Sequence, residues 1–460
     1  MIKYEENENL KALGETFKQS RADRPIPPEL FKRYSVKRGL RNNDGTGVLV
    51  GLTDVGEVFS YYIDDGDKIP AEGKLFYRGI SLSDIVTNFW EERRFGFEEV
   101  CFLLLFGELP TADELRLFKE TLASLRSLPP NFVEDTIFKS PSRDVMNKLA
   151  RCVLGLYAHD ERADDISSQN VLRQSMEMIA RFPVLISYAH MAKEHYIDGK
   201  SLFIHAPDPK MSTAQNILRL TRPDGQFTET EARVLDLAMV VQAEHGGGNN
   251  STFTCRAVTS TGTDTYSAIA AAIGSLKGPQ HGGASKKTFD MMQDLKKEVR
   301  NWRSESELRA YLTALVEKKA YDKKGLIYGI GHAVYTLSDP RTRLLRDYAR
   351  GLAYEAEREE EYELYLSVER LAPQVLREVK KQDKPICANV DFYTGFIYDL
   401  LNIPVDLFTP IFAASRIPGW SAHRMEELIS GGRIVRPGYK NIQKRRAYTP
   451  MTERKGIRAL

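Results

Sequence analysis

The chain runs to 460 residues, 42% hydrophobic and 28% charged, which is more than one core usually spans and too apolar for a disordered chain. Its 65 Lys and Arg nearly cancel 63 Asp and Glu, leaving a net charge of +2 that argues against a nucleic-acid partner. No apolar run approaches the ~20 residues of a membrane-spanning helix, and Cys101, Cys152, Cys255 and Cys387 form no CxxC pair, so neither a zinc site nor a disulfide framework is expected.

The opening segment, MIKYEENENLKALGETF, is acidic and helix-like, unlike a secretory signal or an Arg-rich transit peptide. Cytoplasm is the expected compartment. Residues 1–46 read as a loosely attached helix followed by a basic connector. Residues 47–80 then cluster β-formers between Gly and Asp turns (GVLVGLTDV, EVFSYYID, GKLFYRGI) and predict a few short strands.

After Ser81 apolar residues recur at spacings of three and four almost without interruption, as in FEEVCFLLLFG, DVMNKLARCVLGLYAHD and EARVLDLAMVVQAEH, which predicts helices. No βαβ alternation and no internal repeat appears, so a doubly wound nucleotide fold is not expected. The fold class is mostly α with a small β element near the front. Residues 282–388 carry more charge than their flanks. That fits a smaller lobe inserted into a larger body built from 47–281 and 389–460, and composition fits exposed helices of a single domain equally well.

Three loops combine glycine with histidine: His245 before Gly246, Gly247 and Gly248; His281 between Pro279 and Gly282; and His332 after Gly329 and Gly331. Glycine lets backbone approach a ligand, and sites favour such breaks between rigid helices. A single histidine of this kind is more often structural. Three among the eight in the chain point to an active site. His281 follows the Ala-rich helix predicted over 266–277, ended by Gly278–Pro279, and precedes another helical run. A place near a helix N-terminus disfavours the imidazolium, and a neutral ring there can donate a hydrogen bond to an enolate oxygen.

Asp391 sits in ICANVDFYTGFIYDLL, where desolvation would raise its pKa and suit it to act as a base. Taken alone, an N-cap for the following helix is its commoner role. Arg341, Arg416 and Arg436 occur in loop-like or helix-end contexts, and arginine's planar fork suits carboxylates, although a surface ion pair is the usual role. Competing motifs are weak. GxGxxG lacks its strand and helix context, GxxxxGK[ST] is absent, and His190 and His195 miss the i, i+4 spacing of a metal pair. The acidic run Glu355–Glu363 reads as a solvated helix face.

In order, EHGGGNNST, GPQHGGAS, GIGHAVYTLSDPR, NVDFYTG and FAASRIPGW resemble citrate synthase, with supporting echoes in GKLFYRGISLSDIV and FEEVCFLLLFGELP. The resemblance spans residues 47–440. It implies a nearly all-helical homodimer, or a higher assembly, whose large and small domains close over oxaloacetate and acetyl-CoA. The latter is a co-substrate, with no permanently bound cofactor and no metal. It also implies that His281 stabilises the enol of acetyl-CoA, Asp391 removes the methyl proton, and His332 polarises the oxaloacetate carbonyl. His245, Arg341 and Arg416 match oxaloacetate-binding positions, Phe412 an aromatic lining the same pocket, and Arg436 an arginine contributed across the dimer interface.

The sequence departs from the family pattern in three places. The first motif commonly reads HADHELN, whereas here Gln242 and Glu244 stand for its first His and its Asp, and one extra residue separates His245 from Ser251. Thr336 occupies a position, four after His332, that is often basic, leaving the coenzyme phosphates to Lys286, Lys323 or Lys324. Gln280 replaces a more usual aliphatic residue. Two alternatives to citrate formation stand beside it: 2-methylcitrate synthase acting on propionyl-CoA, and a catalytically silent binding homologue. One or two methylenes are worth only about 1–3 kcal/mol of discrimination, so the acyl group is not read from sequence.

Overall fold

The computed structural model describes residues 8–42, 44–65, 67–332, 334–381 and 385–454. They divide into two compact units, one from residues 1–52 and 436–460, the other from residues 53–435. In the first unit the expected N-terminal helix is Glu8–Lys18, which buries no residue, followed by the short helix Pro28–Arg33. Its C-terminal stretch over residues 436–454 is exposed and holds no regular element except the short 3-10 helix Met451–Glu453. The inserted lobe suggested by charge over 282–388 lies inside the second unit.

The second unit begins with an antiparallel sheet, ordered β1 (Gly56–Asp64), β2 (Asp67–Tyr77) and β3 (Ile80–Ser81). The first two are longer than the short strands expected from sequence. Their register runs from Gly56 opposite Tyr77 to Asp64 opposite Asp67, with a shift between Phe59 and Tyr61. Leu75 and Tyr77 point inward from alternate positions of β2. The Tyr77 hydroxyl then donates to the Val240 carbonyl at 3.0 Å, tying the sheet to the helix Glu229–Gln242.

Every secondary-structure element named after the sheet is a helix, as the periodicity predicts, with longer loops such as residues 197–212 between some of them. Starts are set locally: Thr111 with Glu114, Ser212 with Gln215 and Thr228 with Glu231 form reciprocal capping boxes. The 29-residue helix Ser168–Tyr196 packs along the helix Phe408–Ile429, which also touches Phe97–Phe106, Glu229–Gln242, Asn250–Thr259 and Thr265–Lys277. From Pro410 to Arg424 every residue of Phe408–Ile429 is buried. A helix covered on all sides is the axis of its unit, and here it carries Phe412, Arg416, Trp420 and His423. The four cysteines are buried and free, and no helix among the described residues is long and apolar enough to cross a membrane.

Candidate active site

His281 lies just before the helix Ala284–Glu298, whose N-cap is Gly283, as the breakers at 278–279 predict. Its Nε2 is 3.1 Å from the Ser251 hydroxyl, which also accepts the Trp420 indole N–H at 3.2 Å. Burial, helped by the Arg416 charge, lowers the His281 pKa to about 4, so the ring is neutral at physiological pH. Helix Ala284–Glu298 packs on Val390–Leu400, and the Ser285 hydroxyl donates to Asp391 Oδ1.

Asp391 is not the cap of its helix. Asn389 is the N-cap, its side chain accepting the Asp391 N–H at 3.0 Å, which leaves the Asp391 carboxylate for other work. Burial raises the Asp391 pKa to about 6, against the opposing pull of the Ser285 hydrogen bond and the Arg341 charge. Asn389 also donates to the Gly331 carbonyl at 2.8 Å, and the Gly331 N–H reaches the Cys387 carbonyl at 2.7 Å. Backbone pairing thus holds the His332 loop against the strand-like segment leading into Asp391.

At His332, Nδ1 accepts the backbone N–H groups of Val334 and Tyr335, each at 2.9 Å. A neutral ring so engaged carries its proton on Nε2. That nitrogen stands 3.5 Å from Arg341 Nη2, so two donors converge on one point, an arrangement suited to an incoming acceptor. The His245 ring centroid is 5.5 Å from that of His332, and both rings pack on Tyr335. Burial, reinforced by the Arg341 and Arg416 charges, holds His245 well below the ordinary histidine pKa, and its buried Nε2 makes no hydrogen bond among the described residues.

The two arginines are held differently. Arg341 is gripped by Asp339, which accepts from Nε at 3.0 Å and Nη2 at 2.7 Å. Burial would lower the Arg341 pKa, but Asp339 reverses this and raises it. Arg416 donates from Nε to the Gln242 carbonyl at 2.6 Å, its guanidinium over the Phe412 ring at 5.0 Å. Both of its Nη groups are buried with no hydrogen bond among the described residues, and burial lowers its pKa to about 10 despite nearby Glu244. Unpaired buried donors cost free energy, and these two are left open to an acceptor.

A cavity of about 230 Å³ opens against His332, lined by Leu326, Ile330, Tyr335, Thr336, Lys380 and Ile386 among others. Lys286 is exposed and paired with Asp290 at 2.5 Å, while Lys323 and Lys324 are exposed on the preceding loop. Arg436 opens the C-terminal stretch of the first unit, where it is exposed. No cluster of His, Cys, Asp and Glu able to hold a metal occurs among the described residues.

Sequence reasoning passed over Ser251, Ser285, Tyr335 and Asp339. Asp339 had a legible signal, because an aspartate before Pro at a helix start can cap and, two residues before an arginine, can also grip it. The serines had none, since a hydroxyl's role depends wholly on its neighbours.

A family model described as "Citrate synthase, C-terminal domain" matches residues 44–438. Citrate synthase of Deinococcus radiodurans is 35% identical over 369 residues, covering 80% of this chain and 89% of that one. The 2-methylcitrate synthase of Shewanella oneidensis is 32% identical, covering 79% and 87%. Among solved structures, a ternary complex of Thermoplasma acidophilum citrate synthase with carboxymethyl coenzyme A and oxaloacetate superposes with a TM-score of 0.73. It shares 25% identity and covers 91% of this chain and 99% of that one.

These likenesses, with the helical fold, define an enzyme of the acyltransferase class. The chain belongs to the citrate synthase family.

Proposed function

We propose that the chain condenses acetyl-CoA with oxaloacetate and water, giving citrate and CoA, with Asp391 as base, His281 as enol stabiliser and His332 as carbonyl polariser. The observation that carries this reading is one buried site holding a carboxylate raised to about 6, neutral imidazoles and two buried guanidinium groups. In the solved complex of the Thermoplasma enzyme the ligands are carboxymethyl coenzyme A and oxaloacetate, and the same pair suits the groups here.

A methyl proton beside a thioester is too weakly acidic for a carboxylate alone, so its removal by Asp391 requires a hydrogen bond to the forming enolate oxygen. His281 supplies that bond. The Ser251 hydroxyl has one proton to share between Asn249 Oδ1, 2.9 Å away, and His281 Nε2. Given to His281, it leaves the ring's own proton on Nδ1, facing the substrate. The enolate carbon then attacks the oxaloacetate carbonyl carbon, the C=O π pair moves onto oxygen between His332 Nε2–H and Arg341, and that oxygen takes the Nε2 proton to become the citryl hydroxyl. The proton held by Asp391 passes to solvent and His332 is reprotonated from it. Water hydrolyses the citryl thioester and CoA leaves with the thiol proton.

Arg341, Arg416, His245 and Phe412 bind and orient the dicarboxylate, contributing positioning rather than bond-making. The cavity beside His332 takes the coenzyme. Lys380 at its lining, and the exposed Lys286, Lys323 and Lys324, are the cations for its phosphates. A small lobe of residues 282–388 closing on a larger one of 47–281 and 389–460 would exclude water until condensation is complete, in a cytoplasmic homodimer to which Arg436 contributes across the interface.

The 2-methylcitrate synthases among the relatives favour one second reading, propionyl-CoA as acyl donor with the same machinery. Thiol release measured with acetyl-CoA and with propionyl-CoA, each with oxaloacetate, decides between them by kcat/KM. Release with neither would overturn both.

A further inference from the structure

The residue before His245 is Glu244, where the family motif commonly has aspartate. Its carboxylate is wholly buried and unevenly used. Oε1 accepts the Gly246 N–H and the His423 Nε2–H at 2.9 Å. The direction of the second bond is fixed from behind. His423 Nδ1 lies 2.9 Å from Arg256 Nη1, a guanidinium only donates, and so the ring proton sits on Nε2. Arg256 is itself held by Glu426 at 2.5 Å and Glu427 at 3.1 Å. Oε2 of Glu244, by contrast, makes no hydrogen bond among the described residues.

The protein makes room for the longer acid. A Cβ at Gly419 would stand 2.5 Å from Glu244 Oε2, 2.4 Å from the Ala243 carbonyl oxygen and 3.4 Å from Arg416 Cδ. One at Gly56 would stand 2.7 Å from Glu244 Cγ. Only glycine fits either place. The free oxygen and the stem of Arg416 thus border the same space at Gly419, yet no ion pair or hydrogen bond joins the two among the described residues. Their charges still act on each other. Burial pushes the Glu244 carboxyl up, but His423 and Arg416 hold it below its ordinary value, and Glu244 in turn supports the Arg416 charge.

We propose that Glu244 is a positioning residue for the dicarboxylate half of the site, anchoring the turn that presents His245 while neutralising Arg416 without occupying its Nη donors. A direct salt bridge would have to break each time substrate entered. A carboxylate locked by His423 and Gly246 cannot swing onto the arginine, so the donors stay open and the charge stays balanced. Aspartate, one methylene shorter, would draw the carboxylate back from His423 and Gly246 on an unchanged backbone. The inference rests on the reading that Arg416 and His245 bind oxaloacetate.

Steady-state kinetics of Glu244→Gln and Glu244→Asp in the full chain test it. Glutamine keeps the shape and loses the charge; aspartate keeps the charge and loses the reach. Each is expected to raise KM for oxaloacetate at least tenfold, with kcat within threefold and KM for acetyl-CoA within twofold of wild type. Equal rises in both KM values, a kcat loss above tenfold with KM unchanged, or failure of both variants to fold would overturn the proposal. A wild type that releases no CoA would overturn the catalytic reading itself, whereas an active wild type with unaltered variants overturns this inference alone.

Discussion

Replacing Asp391 by asparagine separates catalysis from stability, and the two should move in opposite directions. Asparagine has the same shape and can still accept the Ser285 hydroxyl, but it removes no proton, so kcat should fall about 10²–10⁴-fold. Burial raises the carboxyl from its ordinary 3.8 to about 6, a change worth about 3 kcal/mol. A raised folded-state pKa means the group's stabilising share is complete below 3.8 and is lost as pH climbs through 6. The asparagine variant has no such loss. It should match wild type near pH 3.5–4 and exceed it by up to about 3 kcal/mol at pH 8, less whatever the ionised form gains from the helix N-terminus. Urea unfolding followed by circular dichroism at both pH values measures the difference. Equal stability at pH 8, or near-normal turnover, would refute the desolvated-base argument.

Removing the Ser285 hydroxyl withdraws the bond that favours the ionised Asp391, so Ser285→Ala should move the acidic limb of the kcat profile upward from about pH 6; a pH–rate series reads the shift. His281, with its pKa near 4, should add no limb between pH 5 and 8. Ser251→Ala deprives His281 of its Nε2 partner and should lower kcat about tenfold or more with KM for oxaloacetate little changed, measured by thiol release. Arg341→Leu and Arg416→Leu should both weaken oxaloacetate binding, read by calorimetry, but differ in stability. The first strands Asp339 without its counter-charge in a buried position and should cost about 3–5 kcal/mol. The second removes a guanidinium with two unpaired Nη groups and leaves Glu244 still bonded to His423 and Gly246, so it should cost less.

The helical class was legible because spacings of three and four fill nearly the whole chain beyond Ser81. The histidine loops were legible because glycine, proline and histidine rarely coincide without reason. What sequence could not separate was Asn389 from Asp391: both are good caps, two residues apart, and only the backbone decides that Asn389 takes the amide and Asp391 keeps its carboxylate. The extent of β1 and β2 was also hidden, since Pro70 and Gly73 inside β2 read as breaks until the pairing is seen. Arg341 and Arg416 looked alike in sequence. Their difference lies in Asp339, two residues away, and in Glu244, far away in the chain.

The groups proposed to hold substrate ride on elements of unequal permanence. Arg416 and Phe412 belong to the buried stretch Pro410–Arg424 of the helix Phe408–Ile429, whereas His332 sits in a run between residues 317 and 339 that holds no helix among the described residues, stapled by a few backbone bonds to the segment near Ala388. Amide exchange should therefore be slowest around Arg416 and much faster around His332. Mild denaturant would silence turnover while oxaloacetate is still captured, leaving an inert trap for the keto acid before the chain as a whole lets go.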